Sequence, residues 1–134
     1  MTATLLGLPP RLHSRHVHWS VARTWRRNAY VACLAATRVP DMARDGGRVS
    51  IELTRVRTSG PPMDPDNAAE SLAHVRDGIC DALWRHCAQH EDARRRSGAP
   101  CGHLHDDDQR LSWLVRQETG PVALVRITMV EEVP

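Results

Sequence analysis

An amphipathic helix over residues 64–86 is the feature that most constrains how this 134-residue chain can fold. Apolar side chains recur along it at helical spacing, and acids occupy the opposite side. Asp64 is a favoured N-cap residue, and Pro65 stands at the first helical position, where proline is well tolerated. A helix with one apolar stripe is stable only when another element covers that stripe. The stripe consists of Leu72, Val75, Ile79, Ala82 and Leu83.

Strand patterns supply the surface that could cover this helix. Residues 49–57, 111–115 and 123–129 alternate apolar and polar side chains, as half-buried strands do. We expect the last two segments to pair as an antiparallel hairpin, because Gly120-Pro121 predicts a turn between them. A short strand is also expected at residues 2–8.

A second helix completes the predicted architecture. It begins with Ser20 as N-cap and ends near Arg38. The element order is then β-α-β-α-β-β, which is an α+β domain with a small mixed sheet and two main helices. We expect a single domain over residues 1–134, with residues 1–19 forming a strand and a basic arm and residues 88–105 an extended loop.

Charge is distributed unevenly along the chain. Residues 1–40 contain six arginines and no acid, so this segment carries +6 and the remainder −4, and the chain has no lysine. Arginine-rich segments bind phosphate well, which suits a polyanion substrate, although a solvated basic helix has the same composition. No apolar run is long enough for a membrane span, so we expect a soluble, cytoplasmic protein with no membrane partner and with reduced cysteines.

Three acidic clusters are the candidate functional residues. They are Asp64-Pro65-Asp66-Asn67, then Asp77 with Asp81, then Asp106-Asp107-Asp108-Gln109 before a predicted strand. Carboxylates grouped in this way can bind a hard divalent cation such as Mg²⁺ or Mn²⁺. Helix capping by the first cluster and a polar turn at the third are the structural alternatives.

These clusters, in this order, resemble the RusA family of Holliday-junction resolvases. The matching features are Asp-x-Asp-Asn opening a helix, an Asp followed by small and aliphatic residues, and Asp-Asp-x-Gln before a strand. The opening Leu8-Pro9-Pro10 is similar to that family's N-terminal segment, and the resemblance spans roughly Gly7 to Met129. It implies a magnesium-dependent endodeoxyribonuclease that cuts branched DNA in recombination or repair, of phage or prophage type.

The resemblance also implies roles for individual residues. Asp64, Asp66 and Asp107 match the family's metal-binding carboxylates, and Asp106 could replace its neighbour. A junction needs two symmetric cuts, so a twofold homodimer is expected. We expect DNA contacts from the basic residues and supporting roles for three residues of the long helix. The DNA-contacting residues are Arg11, Arg15, Arg23, Arg26, Arg27 and Arg57, and the supporting residues are Asn67, His74 and Asp77.

One departure from the family concerns its lysine. RusA proteins carry a lysine on this helix, at registers that correspond here to Glu70 or Ala73. Either His74 or Arg57 could substitute for it. The departure leaves a catalytically silent DNA-binding relative as an alternative to an active nuclease.

A second departure is a long interval before the third acidic cluster. It contains Cys87, His90, Cys101 and His103, whose spacing a tetrahedral Zn²⁺ could accept. A zinc-stabilised interaction module is therefore another alternative, and an ordinary basic loop is the simpler one.

In the N-terminal arm, Trp19 stands beside arginines and histidines and either stacks on nucleic-acid bases or packs across the sheet.

Overall fold

A computed structural model describes residues 1–11, 14–36, 38–40, 47–88 and 104–132. It confirms an α+β domain with the element order β-α-β-α-β-β, built on one four-stranded mixed sheet. In chain order the elements are β1 (Thr2–Leu6), a short 3-10 turn (Ser14–His16), α1 (Trp19–Ala35), β2 (Arg48–Arg57), α2 (Pro65–Ser71), α3 (Ala73–Ala88), β3 (Leu111–Thr119) and β4 (Leu124–Glu132).

The helix boundaries follow local capping chemistry. Asp64 caps α2 as predicted, with Pro65 at its first position. The predicted long helix is interrupted at Leu72, which separates α2 from α3. For α1 the predicted cap was wrong by two residues: the N-cap is His18, whose ring Nδ1 accepts a hydrogen bond from the Ser20 backbone N–H. None of the helices within the described ranges is long and apolar enough to cross a membrane.

The strand order corrects one prediction. The order is β1-β4-β2-β3, so β2 lies between β3 and β4, and the expected β3–β4 hairpin is wrong. Leu53 of β2 pairs with Val115 of β3 in parallel and with Ile127 of β4 in antiparallel register. The outer strand β1 pairs antiparallel with β4.

A short crossover over the end of β2 makes this order feasible. Residues 120–123 join strands that lie two inter-strand spacings apart, about 10 Å, which a chain of this length can span. The Gly120 N–H donates to the Arg57 carbonyl at 2.9 Å. A Cβ at Gly120 would approach Val56 Cγ1 to 2.7 Å, so only glycine fits this crossing unless Val56 shifts. Alternation predicted the strands correctly, but it carries no information about which strand lies between them.

The core lies between one face of the sheet and the helices. The helix stripe predicted from the sequence is fully buried, and alternate residues of β2 and β4 face it. Trp25, Trp84 and Trp113 pack at the margin of this core, as partly buried side chains. The buried strand residues are Val49, Ile51, Leu53, Val125, Ile127 and Met129.

Two cysteines lie in this core as free thiols. Cys33 of α1 and Cys80 of α3 are buried, as expected for reduced cysteines. Burial raises the pKa of the Cys33 thiol to about 12 and also raises the pKa of Cys80. Both thiols therefore stay protonated and act as small apolar core groups.

Helices α1 and α3 are in close backbone contact at Gly78. A Cβ at this position would lie 2.1 Å from the Arg26 carbonyl oxygen and 2.8 Å from the Ala29 Cβ. The first of these atoms belongs to a helix backbone and cannot move aside alone. Close packing, and not a turn, therefore requires glycine at this position.

We expect Gly78→Ala to destabilise the protein, although alanine is the better helix former by about 1 kcal/mol. Separating two packed helices costs about 1–3 kcal/mol, which outweighs the gain in propensity. The expected fall in melting temperature is roughly 3–10 °C, measured by circular dichroism. An unchanged or higher melting temperature would show that α1 and α3 are packed less closely at this point.

Candidate functional site

The first acidic cluster forms the exposed first turn of α2. Asp64, Asp66 and Asn67 are all exposed. Asp64 Oδ1 accepts hydrogen bonds from the backbone N–H groups of Asp66, at 3.0 Å, and Asn67, at 3.4 Å. Within the described residues, Asp64 Oδ2 and the Asp66 carboxylate make no hydrogen bond or ion pair. Capping thus occupies one oxygen and leaves three carboxylate oxygens of the pair open to solvent.

A side chain of β3 fixes the position of this turn. The Gln117 amide accepts from the Met63 N–H and donates to the Met63 carbonyl, both at 2.8 Å. Met63 immediately precedes the cap residue, so the start of α2 is held at the C-terminal end of β3. The sequence gives no local sign of this contact, because its partners are 54 residues apart.

The third acidic cluster lies at the other end of β3. Asp108 is held by Arg110, with Nη2 and Nε 2.9 and 3.0 Å from its oxygens, and these hydrogen bonds lower the pKa of Asp108. The Asp106 carboxylate lies 3.6 Å from Arg76 Nε, and its backbone carbonyl accepts from Trp113 Nε1 at 2.7 Å. Asp107 is exposed and makes no ion pair within the described part of the chain.

Asp77 of α3 neighbours this third cluster. Burial raises the pKa of Asp77, the charges of Asp106 and Asp81 raise it further, and Arg26 and His74 oppose the shift. His74 Nδ1 lies 4.0 Å from Asp77 Oδ2, while its Nε2 is buried without a hydrogen bond in the described structure. Asp77 and His74 are therefore associated with Asp106 at mid-helix and not with Asp64.

The two acidic clusters are separated within one chain. Leu111 and Gln117, which mark their positions along β3, are six residues apart, or about 20 Å of strand. Asp66 lies in the first turn of α2, whereas Asp77 lies on α3, beyond the interruption at Leu72. Among residues 1–11, 14–36, 38–40, 47–88 and 104–132, no group of three or more His, Cys, Asp or Glu side chains is arranged to hold a metal ion. One described chain brings Asp64 and Asp66 together but does not add Asp107.

A cationic pocket lies beside the first acidic cluster. Arg11, Arg55 and Arg57 line it together with Met63, the residue before Asp64. Arg57 Nε donates to the Gly60 carbonyl at 2.8 Å, which holds its guanidinium at the pocket. Sequence reasoning selected Arg11 and Arg57 but missed Arg55. The signal was present, because Val49, Ile51 and Leu53 define the inward face of β2 and Arg55 continues that alternation.

The remaining predicted DNA-contacting arginines differ in availability. Arg23 and Arg27 are exposed on α1, and Arg15 is exposed before it, with its Nε 3.4 Å from His16 Nε2. The Arg26 guanidinium instead donates two hydrogen bonds to the Asp81 carboxylate, at 2.7 and 2.8 Å. This bridge neutralises part of the predicted acidic face of the long helix and engages the partly exposed Arg26 guanidinium with a carboxylate of the same chain.

The predicted zinc ligands lie outside what the structure describes. The side chain of Cys87 and the residues His90, Cys101 and His103 are not among the described positions. The zinc hypothesis accordingly stays a prediction.

Comparisons with protein families, with curated proteins and with solved structures found no match to this chain. Function must therefore be inferred from the residues and from their geometry.

We expect Asp77→Asn to stabilise the protein at neutral pH. Because the pKa of Asp77 is raised by folding, the folded state binds this proton more tightly, and wild-type stability falls as pH rises from below 3.8 through the raised value. The variant lacks that penalty. Its urea midpoint should exceed the wild-type value at pH 7, and the difference should vanish below about pH 3.8.

The matched control for this prediction is Asp107→Asn, which removes an exposed carboxylate without an ion pair in the described structure. It should change the urea midpoint little at either pH. An Asp77→Asn variant less stable than wild type at pH 7 would mean that attraction to Arg26 and His74 outweighs burial.

Proposed function

We propose that this protein is a magnesium-dependent endodeoxyribonuclease of the RusA type that acts on branched DNA. The observation that carries the proposal is the adjacency of two features at one end of the sheet. The exposed carboxylates of Asp64 and Asp66 follow directly on Met63, which lines the pocket of Arg11, Arg55 and Arg57. A phosphodiester nuclease needs both functions, namely cationic groups for phosphate and hard oxygen ligands for a divalent metal.

The residues present suit magnesium. Asp64 Oδ2 and the Asp66 carboxylate are unengaged oxygens within the described residues, and such oxygens are the ligands that Mg²⁺ prefers. When bound, Mg²⁺ supplies Lewis-acid chemistry to phosphodiester hydrolysis. Arg57 and Arg11 would hold the negatively charged backbone against this end of the sheet, and Arg57 would provide the cationic group that a lysine provides in RusA proteins.

The separation of Asp107 from Asp64 supports a homodimeric site. Strand β3 lies at an edge of the sheet, where it can pair with a second copy. In a twofold arrangement the two β3 strands would run antiparallel, so the start of one would lie beside the end of the other. Asp107 of one copy would then approach Asp64 and Asp66 of its partner. We infer that two composite sites form in this way, one for each DNA strand cut.

A second candidate function is supported by the same separation. If the acidic clusters never meet, the arginine pocket and the exposed arginines of α1 still form a polyanion-binding surface. The protein would then bind branched DNA without cutting it. Measuring cleavage and binding on the same junction separates the two candidates.

We expect the purified protein to nick a labelled four-way junction in Mg²⁺, and Asp66→Asn to reduce the rate at least about 100-fold, since metal assistance is worth several kcal/mol. Asp64→Asn should give a similar loss without unfolding α2, because asparagine caps a helix as well as aspartate does. Glu52→Gln, at a partly exposed acid paired with Arg116, is the control and should retain activity. Junction binding without nicks in the wild type would favour the silent DNA-binding protein.

Mixing two inactive variants tests the composite site. If Asp107 acts across the dimer, a heterodimer of Asp66→Asn and Asp107→Asn contains one site with both lesions and one intact site. Nicking should therefore reappear when the variants are mixed and allowed to exchange subunits, at about a quarter of the wild-type rate if exchange is random. Sedimentation should show a dimer. A mixture as inactive as its components would place all three acids in one chain or remove Asp107 from the site.

A further inference from the structure

Arg55 occupies a position normally held by an apolar residue. It is 3% exposed and follows Val49, Ile51 and Leu53 on the helix-facing side of β2. Across the sheet its neighbours are Val125 of β4 and Gln117 of β3. A charged side chain in such a row is expected only when a partner compensates its lost hydration.

No such partner is present in the described part of the chain. Arg55 Nε is buried without a hydrogen bond, and no described carboxylate forms an ion pair with this guanidinium. The charged groups that act on it are Arg11 and Arg57, both cations. Burial lowers the pKa of Arg55, and repulsion by these two arginines lowers it further. Three like charges repel one another where no described residue supplies a counter-charge.

The pocket that these arginines share has the size and lining of a small anion site. Its volume of about 240 Å³ leaves room for a tetrahedral phosphate group. No acid lines it. Thr58 and Ser59 add hydroxyl groups at the exposed side, and Leu8 and Pro9 provide an apolar wall. Guanidinium forks and hydroxyl groups are the donors that bind tetrahedral phosphate oxygens.

We propose that the pocket of Arg11, Arg55 and Arg57 binds one phosphate group of a nucleic-acid backbone, with Arg55 as its innermost ligand. The choice of nucleic acid rests on the proposed function, whereas the choice of phosphate rests on the pocket itself. The bound phosphate supplies a counter-charge that no described residue provides to Arg55. Because Met63 lines the same pocket and Asp64 follows it, this phosphate lies next to the carboxylates at the start of α2.

The central test is Arg55→Met, which keeps an unbranched apolar stem in the core and removes the guanidinium. In phosphate-free buffer the variant should melt at a higher temperature than the wild type, because it removes an uncompensated buried charge. Its affinity for a fluorescent junction oligonucleotide, measured by anisotropy in EDTA without metal, should fall about 10- to 100-fold. The slope of log affinity against log salt should decrease by about one.

Two further variants keep the test decisive. Arg48 is exposed and lies at the other end of the same strand, away from the pocket. Arg48→Met removes the same charge and should therefore change affinity much less than Arg55→Met. Arg11 is exposed, so its substitution does not disturb the core. Arg11→Gln should therefore weaken binding even if Arg55→Met fails to fold. Unchanged binding by Arg11→Gln together with such a folding failure would overturn the proposal. A folded Arg55→Met variant with wild-type binding would overturn it as well.

A second arm identifies the source of the phosphate. Inorganic phosphate, compared with chloride at equal ionic strength, should raise the melting temperature of the wild type but not of Arg55→Met. If phosphate does so while oligonucleotide binding is the same in both proteins, the pocket takes a free anion and the nucleic-acid assignment is wrong. Metal-free binding is independent of cleavage. A protein that binds through Arg55 but never nicks DNA would contradict the nuclease and leave the phosphate site standing.

Discussion

The pairing of β2 on both of its edges is the interaction on which the rest of the structure depends. This strand holds β3 in parallel and β4 in antiparallel register, and it presents Val49, Ile51 and Leu53 to the helices. The same alternation places Arg55 and Arg57 on this face of β2, at the end of the sheet. Arg55 and Arg57 of the cationic pocket therefore continue the row of core residues on β2. The position of the pocket follows from how β2 is paired.

The candidate functional groups are divided between the two ends of the sheet. At one end, Gln117 holds Met63 and so places the exposed acids of α2 beside the arginine pocket. At the other end, Asp106 and Asp108 are engaged by arginines while Asp107 remains exposed. This division is the main physical difficulty for a nuclease within a single chain. It is also the reason why a second copy, added at the β3 edge, becomes part of the proposed site.

Local chemistry allowed much of this to be predicted from the sequence. The cap at Asp64, the buried stripe of α3 and the alternation of the strands depend on neighbours within a few residues, and all three predictions were confirmed. Strand order and the environment of Arg55 depend on partners far away in the chain. A short Gly-Pro connection normally indicates a hairpin, yet here β2 is inserted between the two strands it joins. The likeness in acidic motifs could not show that Asp64 and Asp107 would lie far apart in one chain.

The crossover at Gly120 also bears on the order of folding events. Strands β3 and β4 are close in sequence but do not pair with each other, because the strand that each hydrogen-bonds on the shared side is β2. The paired residues of β2 lie more than sixty positions earlier in the chain throughout. This half of the sheet therefore has no rapid local nucleus. The chain must close a long loop before β3 pairs with β2 and before β4 pairs with either β2 or β1. Slow, non-local collapse is the expected kinetic signature of a small domain built in this way.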